Sequence, residues 1–176
     1  CFRGPEQDVL LRYRNAAEVF EADVIVRINA DCPLIDSVEV DRVIEAWFKK
    51  QPGLDYASNI LEETFPMGMH TEVFSRNALN RAESNACSLE EREHVTPYIY
   101  RNPNLFQLYS IQNLENLSHY RLTVDYEEDL EFVRKVVEAL ELNNQEFRMM
   151  DIVNLLNKYP ELMNINSQFK KSQNLL

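Results

Sequence analysis

Residues 23–36, Asp-Val-Ile-Val-Arg-Ile-Asn-Ala-Asp-Cys-Pro-Leu-Ile-Asp, decide the fold. Val24, Ile25, Val26 and Ile28 are β-branched and suit a pleated, buried strand over 24–29. The run breaks at Asp31, and Pro33 has no N–H with which to continue a ladder. In open α/β sheets, ligands sit beyond the carboxyl ends of the strands. A strand that closes on a carboxylate there can hold a metal or a phosphate. A plainer reading has Asp31 satisfy backbone N–H groups in a turn beside Pro33.

Working outward, Val9, Leu10, Tyr13, Ala16, Ala17 and Phe20 form a helical stripe over 8–20, with Asp8 as N-cap. Asp36-Ser-Val-Glu39 reads as a capping box, followed by Val40, Val43, Ile44, Trp47 and Phe48 at helical spacing. Pro52-Gly53 ends that helix. A strand over 55–59 follows, so helix, strand, helix and strand alternate. This alternation favours an α/β fold with a mixed, mainly parallel sheet flanked by helices.

Further along, the sequence predicts a loop over 61–70 and a strand over 71–75. Helices follow over 77–86 and 88–100, the second kinked or ended by Pro97. Strands are expected over 106–112 and 120–124. Leu130, Val133, Val136, Val137 and Leu140 mark a helix over 126–139, and residues 149–157 form a last short one. No repeat or linker interrupts the chain, so residues 1–165 read as one domain with a loose polar tail over 166–176, the looseness beginning near 164.

The formal charge of −11 over 176 residues argues against nucleic-acid or anionic-membrane partners. No apolar run approaches the about 18 residues of a membrane span. Cys1, Cys32 and Cys87 lack metal spacing, and no secretory signal is visible, which fits a reducing cytoplasm. Cys32 reads as a small space-filler and His94 as a surface or network residue.

Two predicted strands end in Asp, at Asp31 and at Asp125. Were they parallel neighbours, both carboxylates would share one sheet edge and suit Mg²⁺, whose ligands are hard oxygens. The plainer reading of Asp125 is a capping box with Glu128. The glycines are Gly4, Gly53 and Gly68, so no glycine-rich phosphate cradle follows a strand.

Several segments together resemble one family. They are Phe2-Arg-Gly-Pro-Glu-Gln-Asp8, Val26-Arg-Ile-Asn-Ala-Asp-Cys-Pro-Leu-Ile-Asp36, Tyr56-Ala-Ser-Asn59 and Phe65-Pro-Met-Gly68. Glu72-Val-Phe74, Glu91-Arg-Glu-His-Val-Thr-Pro97 and Leu117–Asp125 with Glu128-Asp129 complete the set. The chain resembles, over roughly residues 2–165, the cytidylyltransferase-like proteins of the SpsF type, which serve spore-coat and surface polysaccharide biosynthesis. These are related to the CMP-sialic acid and CMP-Kdo synthetases.

The resemblance implies a nucleotide-diphospho-sugar transferase (nucleotidyltransferase) fold. It implies Mg²⁺-dependent cytidylyl transfer from CTP to a sugar or sugar acid, and a homodimer is expected from the related synthetases. By resemblance, Asp31 and Asp125 are the catalytic metal ligands. Asn59, Gly68, His70 and Glu72 fall on the sugar side, and Arg3 and Asp8 near the nucleotide.

Family members open with a strand and a basic, glycine-containing loop that would precede Phe2. The chain is therefore expected to be N-terminally truncated and, alone, weakly active or inactive. His70 stands where the family often has Asp, which is expected to mark a different substrate or an unused site. Two other readings stay open: a binding or assembly module that keeps the fold, and a glycosyltransferase of related fold. The second is disfavoured because Asn29-Ala-Asp31 offers one carboxylate where D-x-D is needed.

Overall fold

The computed structural model describes residues 1–141 and 146–169. The chain packs as two compact units, each assembled from three segments. Unit 1 comprises residues 1–27, 42–62 and 71–112; unit 2 comprises 28–41, 63–70 and 113–176.

Unit 1 holds the whole sheet. The strands are β1 (Val24–Arg27), β2 (Tyr56–Ser58), β3 (Glu72–Ser75) and β4 (Leu108–Ser110), in the order β1-β3-β2-β4. β3 runs antiparallel to both neighbours, and β2 pairs parallel with β4. Three strands therefore point one way and β3 the other, which is the mixed sheet expected. The register sets Glu72 opposite Arg27 on one side and Ser58 on the other. β3 is buried along Glu72, Val73 and Phe74, as befits a central strand.

Helix α1 (Val9–Val19) starts where expected, because the Asp8 carboxylate accepts the Leu11 N–H at 3.0 Å. α3 (Arg76–Asn85) is capped in the same way by Ser75. The predicted helix over 88–100 is two helices, α4 (Leu89–His94) and α5 (Pro97–Tyr100). Val95, at φ 73°, breaks the path between them, and Pro97 then opens α5 at a position where its missing N–H costs nothing. Leu10, Tyr56, Phe74, Leu79, Ile99 and Phe106 are central to the core of this unit.

α2 (Ser37–Lys49) begins at Asp36, whose Oδ1 accepts the Val38 N–H at 2.9 Å. Its Oδ2 accepts the Met149 N–H at 2.8 Å, so one buried carboxylate starts both α2 and α7 (Met149–Lys158). Unit 2 holds the start of α2, as far as Asp41, together with α7, α6 (Glu127–Glu141) and a closing 3₁₀ segment, Pro160–Ile165. α6 buries Phe132, Val133 and Val136, whereas Leu130 is exposed and Asp129 takes an inward position.

Two expectations need correction. Residues 120–124 do not form a sheet strand; Arg121 makes only a single parallel bridge, to Met67. The reason is the partner: the loop turns at Pro66 and Gly68, so only Met67 lies extended beside the segment. Nor is the chain loose from residue 164, because Asn166 is buried. Residues 170–176 of the expected tail lie outside the described residues. Among the described residues, no helix is long and apolar enough to cross a membrane.

Candidate active site

In unit 2 the segment 120–125 borrows its backbone partners from two loops. The Met67 N–H donates to the Tyr120 carbonyl at 3.0 Å, and the Leu122 N–H to the Met67 carbonyl at 2.8 Å. Two residues on, the Val124 N–H donates to the Asp31 carbonyl at 2.8 Å, and Thr123 Oγ1 donates to the same oxygen at 3.1 Å. The two aspartates are thus brought together by direct backbone ties, without the shared sheet edge that two parallel strands would have supplied.

Gly68 is the hinge of this arrangement. Its φ is 101°, and a Cβ there would lie 2.8 Å from the Leu122 carbonyl carbon and 2.9 Å from the Thr123 nitrogen. Only glycine permits that approach of two backbones. In this setting the residue shapes the site. His70, in the same unit, is half-buried.

Asp125 is exposed, and its Oδ2 accepts from Arg121 Nη2 at 2.6 Å. The same nitrogen donates to Asp129 Oδ2 at 2.6 Å, while Arg121 Nε donates to Asp129 Oδ1 at 2.9 Å. Asp129 also accepts the N–H groups of Asp125 and Tyr126, at 3.1 and 3.2 Å, and Asn166 Nδ2 at 2.9 Å. It is Asp129, rather than a pair of Asp125 with Glu128, that satisfies the backbone at the start of α6. Burial pushes the Asp129 carboxyl up, but its bonds to Arg121, the Asp125 N–H and Asn166 outweigh this and hold it below the usual range. Arg121 is correspondingly raised, first by its hydrogen bonds to Asp129.

Asp31 Oδ1 accepts from Cys32 Sγ at 3.3 Å. Burial, then the adjacent Asp31 charge, pushes the Cys32 thiol up to about 12, so it stays protonated and is no nucleophile. Among the described residues, no three His, Cys, Asp or Glu side chains group as a metal cage. The donor set nevertheless fits Mg²⁺, which commonly takes one or two carboxylates and completes its shell with water and substrate phosphates.

Unit 1 places Asn59 just past the end of β2 and Glu72 at the start of β3. Asn59 is buried, and its Oδ1 accepts the Thr71 N–H at 2.8 Å. Glu72 is buried as well. Its Oε1 accepts from Tyr56 Oη at 2.7 Å and Thr96 Oγ1 at 2.5 Å, and its Oε2 pairs with Arg27 Nη1. Burial, followed by the Glu72 charge, raises the Tyr56 phenol well above its ordinary value. For Arg27, burial works against the charge, and the pairing with Glu72 more than offsets it.

Asp8, besides capping α1, is held by Arg92 through Nε at 3.0 Å and Nη2 at 2.5 Å. Burial raises its carboxyl, but Arg92 and the Leu11 N–H lower it further. Arg3 is exposed near the start of the chain.

Sequence reasoning did not assign roles to Arg121, Asp129, Arg27, Tyr56 or Thr96. One signal was available: Arg121, Asp125 and Asp129 recur at four-residue spacing, as charges that meet across a helix start do.

A mixed sheet flanked by helices in one unit, and in the other a backbone tie between the segments of Asp31 and Asp125, fit the build of a nucleotidyltransferase. A family model described as cytidylyltransferase matches residues 1–166. The chain belongs to the cytidylyltransferase family. It is 38% identical over 172 residues to an uncharacterized protein of Methanocaldococcus jannaschii, covering 97% of this chain and 68% of that protein. It is 29% identical over 163 residues to the spore coat polysaccharide biosynthesis protein SpsF of Bacillus subtilis, covering 91% and 65% respectively. A solved cytidylyltransferase structure from Leptospira borgpetersenii superposes with a TM-score of 0.85 at 32% identity, over 92% of this chain and 67% of that one. The chain thus spans about two thirds of the length of these relatives.

Proposed function

We propose that the protein transfers a cytidylyl group from CTP to a sugar or sugar acid, in the biosynthesis of a surface polysaccharide. Family membership supports the reaction class. The observation that supports the site is the tie of Val124 and Thr123, the two residues before Asp125, to the Asp31 carbonyl. In the reaction an acceptor oxygen attacks the α-phosphate of CTP, the bond to the β-phosphate breaks, and pyrophosphate leaves.

Asp31 and Asp125 would hold Mg²⁺, which supplies charge stabilisation to the triphosphate and the departing pyrophosphate. Arg121 occupies Oδ2 of Asp125, so Oδ1 would be the oxygen offered to the ion. Asp129, fixed by five hydrogen bonds, anchors that arginine. The Gly68 turn holds the 122–123 backbone against its loop, which keeps the tie to Asp31 in register.

The experiment is pyrophosphate release from CTP by the full-length protein with a panel of sugars and sugar acids, with and without Mg²⁺. The expected result is release that needs Mg²⁺ and an acceptor, and that is faster with CTP than with other nucleotides. No release by the folded full-length protein with any acceptor would sink the reading.

A further inference from the structure

Glu72 is the residue on the sugar side whose surroundings are most fully determined, and they show that it is spent. Both its oxygens are taken by Tyr56, Thr96 and Arg27, and its side chain is only 3% exposed. A carboxylate in that state has little capacity left for a substrate hydroxyl.

Arg27 is the opposite case. Its side chain is 17% exposed, and only Nη1 is engaged. Among the described residues, Nε and Nη2 make no hydrogen bond, and neither is sealed from solvent. A guanidinium left half unpaired at such depth forfeits strong charge-assisted bonds. Its free edge, Nε with Nη2, is the planar fork that matches a carboxylate or a phosphate in bidentate fashion. Glu72 fixes the other edge, and Tyr56 and Thr96 fix Glu72, so the fork is pre-aimed.

We propose that Arg27 is an oxyanion-binding residue, and that Glu72, Tyr56 and Thr96 form the buried frame that aims it. The site rests on the cytidylyl-transfer reading only for its ligands: a phosphate of the nucleotide, or the carboxylate of an acid acceptor. The binding role assigned to Glu72 thereby passes to its partner, and Glu72 becomes a positioning residue.

Two measurements test this without turnover, so failure of the reaction and failure of the site are told apart. The first follows the Arg27 Nε–H resonance of the wild-type protein, labelled with ¹⁵N-arginine, during titration with pyrophosphate, glucuronate and neutral glucose. The resonance should move with one or both anions and not with glucose. Movement with pyrophosphate alone assigns the nucleotide, and movement with glucuronate alone assigns the acceptor. No movement with either anion, or equal movement with glucose, overturns the proposal.

The second is Arg27→Lys. A lysine can keep the ion pair with Glu72 but has no second edge, so the melting temperature should shift by no more than about 4 °C. Affinity for the anion identified by NMR should fall about 10- to 100-fold. Unchanged affinity overturns the proposal, because a purely structural arginine would tolerate that exchange. Should the lysine variant fail to fold, the wild-type titration decides alone.

Discussion

Asp129 in unit 2 and Glu72 in unit 1 are both buried carboxylates paired with an arginine, and they differ in what the arginine has left to give. Arg121 commits all three of its nitrogens: Nε and Nη2 to Asp129, Nη2 again to Asp125, and Nη1 to the Met67 sulfur at 3.2 Å. Arg27 commits one. A buried ion pair is therefore no sign of function in itself, since its net contribution to stability is small or even unfavourable. The informative quantity is the number of donors unspent. By that measure the first pair is scaffolding for Asp125, and the second pair presents a binding edge.

The largest expected effect concerns Asp31, the proposed partner of the aspartate that Asp129 and Arg121 support. Asp31→Ala should lower pyrophosphate release by at least about a hundredfold, since it removes one of two groups that place charge stabilisation at the phosphates. Near wild-type release would sever the metal reading from the geometry of unit 2.

Next come the two carboxylates themselves, read by urea denaturation. Asp129→Ala should cost about 3–5 kcal/mol, because it strands the Arg121 charge and two backbone N–H groups. Glu72→Gln should cost less, about 1–3 kcal/mol, because Arg27 keeps access to water and the amide oxygen can still accept from Tyr56 and Thr96. Equal losses would erase the contrast between the pairs.

Gly68→Ala should cost about 2 kcal/mol or more, since it combines a positive φ with contacts under 3.0 Å to backbone atoms. The accompanying loss of activity should exceed that of an exposed control substitution, because the displaced backbone is the one that carries Asp125.

The smallest effect is in pH. Asp129 and Asp8 have carboxyls held below their ordinary value. The stability they confer is complete above the unfolded-state pKa, about 4, and is lost as pH falls through their lower folded values. The urea midpoint should thus fall steadily below about pH 4. In Asp129→Asn that slope should be shallower, and an identical slope would show that Asp129 contributes no linkage.

Much of the fold was legible because local chemistry announces it. The β-branched run 24–26 became β1, Asp8 caps α1, and the helices expected over 126–139 and 149–157 are α6 and α7. The segment 120–124 misled because local sequence can say that a run is extended, not that a neighbour will lie alongside. Asp129 was hidden for a related reason. An acidic residue in the first turn of a helix ordinarily faces water and the helix dipole, and nothing local says that Asn166 and Arg121 will close over it. Arg27 and Glu72 meet only through the β1–β3 register, which links residues far apart in the chain.

Asp31 and Asp125 stood out in the sequence as carboxylates closing two predicted strands. The physical tie between them was not legible, because it passes through backbone atoms that every residue possesses. The central claim is that these two aspartates act as one divalent-ion site. Its most direct test is Mn²⁺ binding, followed by electron paramagnetic resonance in the presence of CTP, for wild type, Asp31→Ala, Asp125→Ala and the double variant. Either single change should weaken binding, and the double variant should be little worse than either alone, as expected for groups that share one ligand. Wild-type affinity in either single variant, or losses that simply add, would contradict it.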